Sequence, residues 1–138
     1  MSVTEDTSVL ESYEMRIGGR HVQAVGGQVF ESTDPFTGQP WATAPDAGPE
    51  DVDLAVGAAQ EALDGTWGKM TGRERAALMR RLGDLVARDA AKLTEIEVRD
   101  SGKLQRDAGS QIAYMAEWFY FFAGIAGKLN GETVTPPA

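Results

Sequence analysis

From Gln105 to about Lys128 the sequence describes a helix with almost no polar side, and this limits what the chain can fold into. Ile112, Met115, Phe119, Phe122, Ala126 and Leu129 share one face at helical spacing. Tyr114, Trp118, Phe121 and Ile125 share a second. A helix that is apolar on two faces has to be covered on two faces. The 104 residues before it supply a few short strands and amphipathic helical segments, too little material to cover both. The chain is therefore expected to pack against further protein. Taken alone, it should aggregate or fold incompletely, because large exposed apolar patches associate. Aromatics at helical spacing are usually core; the other role open to this cluster is the wall of a hydrophobic substrate passage.

The preceding segments carry clear punctuation. Residues 1–12 are polar without a sustained period and read as a loose arm. Met15, Ile17 and Val22 flank Gly18-Gly19, a two-residue hairpin signal. Val29–Thr33 and Trp41–Ala44 read as further strands, separated by Asp34-Pro35 and Thr37-Gly38. Gly48-Pro49-Glu50-Asp51 then opens a helix, with proline at the first position and acids at its positive end. Val52, Ala55, Val56, Ala59, Ala62 and Leu63 give that helix one apolar face, and Gly65 stops it. Thr71-Gly72-Arg73-Glu74 is a capping box that starts the next helix. Leu78, Leu82, Leu85 and Val86 are the stripe expected to be buried there. Asp89 restarts the helix, with Leu93 and Ile96 inward, and Gly102 ends it. After Asn130-Gly131, Thr133-Val134-Thr135 begins an extended segment.

Composition excludes several classes of function. A net charge of −8 argues against nucleic acid and anionic membranes as partners. No apolar run reaches the roughly 18 residues of a membrane span. Glu5, Asp6 and Glu11 stand where a signal peptide would be basic and then apolar, so a cytoplasmic location is the default. With no cysteine, these residues contain no disulfide, no thiolate metal site and no cysteine nucleophile.

Individual candidates mostly reduce to structural roles. The glycines form no G-x-G-x-x-G between a strand and a helix and read as turns and caps. His21, the single histidine, lies beside a turn with nothing in ligand or triad spacing and reads as a surface or packing residue. Glu95, Glu97 and Asp100 could do paired-carboxylate chemistry. The plainer reading is a solvated helix face balanced by Lys92, Arg99 and Lys103.

Taken in order, several segments resemble the N-terminal part of the aldehyde dehydrogenase superfamily. "RIGGRHV" is similar to the opening hairpin of that family, with His21 where tryptophan is usual. "FESTDPFTGQ" resembles its x-x-x-N-P-x-T-G-x segment, with Asp34 for asparagine. "PEDVDLAVGAAQEAL" is similar to its first helix, and "FFAGIAGKLNGETV" to the exit from its third. Trp67, Met70, Arg75, Leu78, Leu82, Glu97, Gly102 and Lys103 fall where the family has the same residues. No single piece is specific, but the ordered set is.

The resemblance implies an α/β fold. Residues 13–138 would be the incomplete N-terminal portion of a coenzyme-binding domain, short hairpin strands followed by three or four helices. It implies a parent enzyme that oxidises an aldehyde with NAD or NADP. In that family a cysteine thiolate attacks the aldehyde, hydride passes to the nicotinamide, and glutamate-activated water hydrolyses the thioester. The cysteine, the glutamate and the coenzyme contacts all belong to later sequence, so no catalytic or cofactor-binding residue carries over and the chain alone is expected to be inactive. Its partners would be the aldehyde, the rest of the enzyme chain, and copies of itself in a homodimer or homotetramer. Two peripheral roles do carry over. A monovalent cation would be held by the backbone carbonyl of Thr33 and the carboxylate of Asp100, both hard oxygen donors. The third helix would reach a substrate tunnel at Tyr114 or Met115, where an aromatic favours an apolar or aromatic aldehyde. The alternative is a non-catalytic helical binding or assembly module that retains this segment.

Overall fold

A computed structural model describes residues 10–128 and 131. The extended segment expected at Thr133–Thr135, and Leu129, lie outside these residues. Five strands precede five helices: β1 Glu11–Ser12, β2 Met15–Ile17, β3 Arg20–Val22, β4 Val29–Thr33, β5 Pro40–Pro45, α1 Pro49–Asp64, α2 Thr66–Lys69, α3 Gly72–Arg88, α4 Ala90–Ser101 and α5 Gln105–Ile125.

The strands form two units. β2 and β3 make an antiparallel hairpin that pairs Met15 with Val22 and Ile17 with Arg20. Gly18 and Gly19 close it at φ of 57° and 79°, a two-residue turn that needs left-handed backbone at both positions. The second unit has strand order β1-β5-β4, with β5 antiparallel to β4 and parallel to β1. The expected loose arm 1–12 is thereby corrected at its end. Glu11 and Ser12 pair with Ala42 and Thr43, because β5 has a free edge on that side once β4 occupies the other.

The helix signals act as the sequence dictates. Asp51, though only 3% exposed, accepts from the backbone N–H of Gly48 (2.9 Å) and of Val25 (3.0 Å). It caps α1 and fastens it to the turn that follows β3. Thr71 and Glu74 cap α3 reciprocally: the Thr71 N–H donates to Glu74 Oε2 (2.7 Å), and the Glu74 N–H donates to Thr71 Oγ1 (3.3 Å). Gly102 ends α4 at φ 70°. α2 is a single turn between Gly65 and Met70 that hydrophobic spacing does not reveal.

Packing departs from the expected stripes. The buried residues of α3 are small, Ala76 and Gly83, and those of α5, which packs on both α3 and α4, are Ala108, Ala116 and Ala123 with Ile112. Leu78, Leu82 and Leu85, expected to be buried, face outward, because the close seam formed on the alanine–glycine side instead. The apolar face of α1 is likewise open, with Val56 at 63% and Leu63 at 56% exposure. On α5, Met115 and Phe122 join Tyr114, Trp118 and Phe121 on the uncovered side. Among the described residues this helix is thus left uncovered on one side, as expected, although the division between the faces falls elsewhere.

Candidate functional site

The candidate cation site depends on how α4 meets the sheet. The C-terminal end of α4 lies against the β4–β5 connection: Pro35 sits where a side chain on Gly102 would reach it, at 3.2 Å. The connection is a tight loop in which the Asp34 N–H donates to the Gln39 carbonyl (3.0 Å) and the Gly38 N–H to the Asp34 carbonyl (2.8 Å). Asp34 Oδ1 accepts from the N–H groups of Phe36 (2.8 Å) and Thr37 (3.3 Å). Only an acceptor oxygen is used, so aspartate serves where the family has asparagine.

Thr33 and Asp100 come to one end of this arrangement. Thr33 faces Pro40 across the ladder, after a register shift between Ser32 and Thr33. Pro40 has no N–H to donate, and the N–H of Gln39 goes to Thr37 Oγ1 (3.3 Å). Pro40, the residue opposite, therefore cannot donate to the Thr33 carbonyl. Asp100 is reached by Ser32, the immediate neighbour of Thr33, whose Oγ donates to Asp100 Oδ1 (2.5 Å). Among the described residues Asp100 forms no ion pair. Its neighbour Arg99 is engaged elsewhere, with its guanidinium 5.0 Å from the Trp41 ring centre and 3.5 Å from Glu11. A carboxylate and a backbone carbonyl are the kind of oxygen donors a hard cation takes. Among the described residues no group of three or more His, Cys, Asp or Glu side chains could hold a metal.

Two participants were not visible in the sequence reading, Ser32 and Trp41. Trp41 is 6% exposed, and its Nε1–H donates to Ser32 Oγ (3.2 Å). The contact between Ser32 and Asp100 spans 68 positions. No spacing rule reaches that far.

The other acids follow the plainer reading. Glu97 pairs with Lys103, which also donates to Gln111 Oε1 (3.3 Å). His21 is exposed between Glu14 and Arg16, as a surface residue.

Tyr114 and Met115 lie adjacent on the uncovered side of α5. Tyr114 meets Trp118 edge-on at 5.8 Å between ring centres, and Trp118 stacks on Phe122 at 5.9 Å. The result is a continuous aromatic surface rather than a closed pocket. Between the β2–β3 hairpin and α1 runs an open cleft of about 900 Å³, apolar along Ile17, Val22 and Leu54 and rimmed by Arg20, Asp53 and Glu61.

The N-termini of α1 and α3, which would attract phosphate, are already occupied by the carboxylates of Asp51 and Glu74. The Glu74 carboxyl is held below its ordinary range by the Thr71 backbone N–H and hydroxyl. The positive-φ glycines lie in turns or at the α4 stop, and none opens a helix. Nor is any described helix long and apolar enough to cross a membrane.

Comparison with known proteins places this architecture. The sequence model of the aldehyde dehydrogenase family matches residues 21–138. The chain is 36% identical over 126 residues to (Z)-2-((N-methylformamido)methylene)-5-hydroxybutyrolactone dehydrogenase of Acinetobacter baylyi, covering 91% of this chain and 25% of that protein. It is 41% identical over 120 residues to aldehyde dehydrogenase family 2 member C4 of Arabidopsis thaliana, covering 86% and 24%. An aldehyde dehydrogenase from Bacillus cereus, solved in complex with NAD+, superposes with a TM-score of 0.87 at 36% identity, covering 90% of this chain and 26% of that one. The chain thus spans about a quarter of the length of the curated relatives it matches. With its ordered motifs, its family match and its superposition in agreement, the chain belongs to the aldehyde dehydrogenase family, of which it is an N-terminal segment.

Proposed function

We propose that these residues are the N-terminal part of an oxidoreductase that converts an aldehyde to a carboxylic acid with NAD or NADP. The observation that carries this reading is the uncovered aromatic side of α5, on a chain whose family membership supplies the missing cover. Tyr114 stands 60% exposed and Trp118 50% exposed, as expected of surfaces that the rest of an enzyme encloses. A bound coenzyme would supply the hydride acceptor, and the nucleophile would be a cysteine, a residue absent from these 138 positions. No step of the chemistry runs through the described residues.

Their contribution is scaffolding and two peripheral roles. Tyr114 or Met115 lines the approach to the reacting centre and favours an apolar or aromatic aldehyde. The Thr33 carbonyl and the Asp100 carboxylate hold a monovalent cation at the junction of α4 and the sheet. A homodimeric or homotetrameric assembly and a cytoplasmic location complete the reading. The test is an aldehyde-dependent assay of NADH or NADPH formation on the full-length enzyme. Turnover of apolar aldehydes is expected, and failure to reduce either coenzyme with any aldehyde would overturn the proposal.

A further inference from the structure

The roles of Thr33 and Asp100 leave Ser32 and Trp41 without a part, although the fold places both at the same junction. The polarity of their contacts is fixed by chemistry. An indole N–H can only donate, so Ser32 Oγ must accept from Trp41 Nε1. The serine has one proton, and an ionised carboxylate can only accept, so that proton goes to Asp100 Oδ1. Trp41 is itself anchored, by the Arg99 guanidinium on its face and by Tyr13, edge-on at 6.0 Å. The direction of donation therefore runs from a buried, fixed ring through one hydroxyl to one oxygen of an otherwise unpaired carboxylate. Among the described residues the second oxygen, Oδ2, accepts no side-chain hydrogen bond.

We infer that Ser32 is a positioning residue for monovalent cation binding. Oriented by Trp41, it pins one oxygen of Asp100 and so presents the carboxylate beside the Thr33 carbonyl. The inference rests on the proposed cation role of Thr33 and Asp100. Groups that orient a metal ligand without touching the metal typically affect affinity by about 10- to 100-fold. A single hydroxyl acting on a weakly held cation should fall at the lower end, about tenfold.

The experiment is a potassium titration of the full-length enzyme's melting temperature, without substrate, at ionic strength held constant with choline chloride. A cation that binds only the folded state raises the melting temperature with a midpoint set by its affinity. The wild type should respond, and D100N should lose the response. S32A should move the midpoint to about tenfold higher potassium, while S32T, which keeps the hydroxyl, should leave it unchanged. S32A also orphans the buried Trp41 N–H and could fail to fold, so the S32A/W41F double variant removes the hydroxyl without leaving that donor unpaired. A purely structural role for Ser32 would lower the melting temperature equally at all potassium concentrations and leave the midpoint in place. A wild-type midpoint in S32A and S32A/W41F, with D100N unresponsive, would overturn the inference and spare the cation reading. A flat wild-type response would overturn both.

Discussion

Gly83 of α3 packs against the Tyr120 ring of α5, and replacing it with alanine sets two effects of similar size against each other. In a helix interior alanine is favoured over glycine by about 1 kcal/mol. At this position, however, an added Cβ would lie 2.7 Å from Tyr120 Cε1 and 3.1 Å from both Cδ1 and Cζ. The ring would have to retreat by several tenths of an ångström. It is held by its own hydroxyl, which donates to Asp84 Oδ1 (2.8 Å), on the residue next to Gly83. Retreat breaks that bond or displaces the helix. Overpacking of this kind costs about 1–3 kcal/mol. The helix gain offsets part of it, leaving G83A destabilised by about 1–2 kcal/mol. Hydrogen exchange on the full-length enzyme reads this locally: peptides from α3 and α5 should exchange about 5- to 30-fold faster, while distant peptides stay unchanged. Placing G83A in a Tyr120→Leu background isolates the cause, since with the ring gone the alanine should become neutral or protective. Slower exchange in G83A alone would refute the close-packed seam.

Four further outcomes follow from the same structure. T71A should speed amide exchange in the first turn of α3, because the Glu74 N–H loses its acceptor, Thr71 Oγ1, while the backbone N–H of residue 71 keeps its bond to Glu74 Oε2. The cap also makes that turn pH-dependent. The Glu74 carboxyl is depressed in the folded state, so its contribution is complete above the ordinary 4.5 and is lost as pH falls through the lower folded value. Exchange in E74Q, corrected for intrinsic rates, should lack that component. The isolated 138-residue chain should bind an apolar fluorescent dye strongly, and W118Q/F121Q should reduce that binding; a cooperative, dye-free monomeric transition would count against the uncovered-face reading. Changing Tyr114 and Met115 to alanine in the full-length enzyme should shift kcat/KM away from apolar and aromatic aldehydes relative to small ones, and an unchanged preference would remove both from the tunnel.

The elements were legible in the sequence because their signals are local. Gly18-Gly19, the Gly48-Pro49-Glu50-Asp51 start, the Thr71–Glu74 cap and the Gly102 stop each act within four residues, and each appears where expected. Burial was less legible. Spacing groups Leu78, Leu82 and Leu85 on one face, but it does not say which neighbour, if any, covers that face. The covered side of α3 turned out to be Ala76 and Gly83, because small residues let two helix backbones approach. Asp100 was reached through family resemblance, whereas Ser32 and Trp41 depend on a contact made only when α4 returns to the sheet.

The α3–α4–α5 unit is contiguous in sequence, and its closest seam joins helices separated only by α4. Contacts of such short range close early. In an enzyme of the relatives' length, about three quarters of the chain is still to be made when this unit leaves the ribosome. At roughly 5–20 residues per second that interval lasts tens of seconds. Throughout it, the ring cluster from Tyr114 to Phe122 faces the crowded cell without its lid. An apolar surface left waiting for its cover during synthesis is of the kind that chaperones bind.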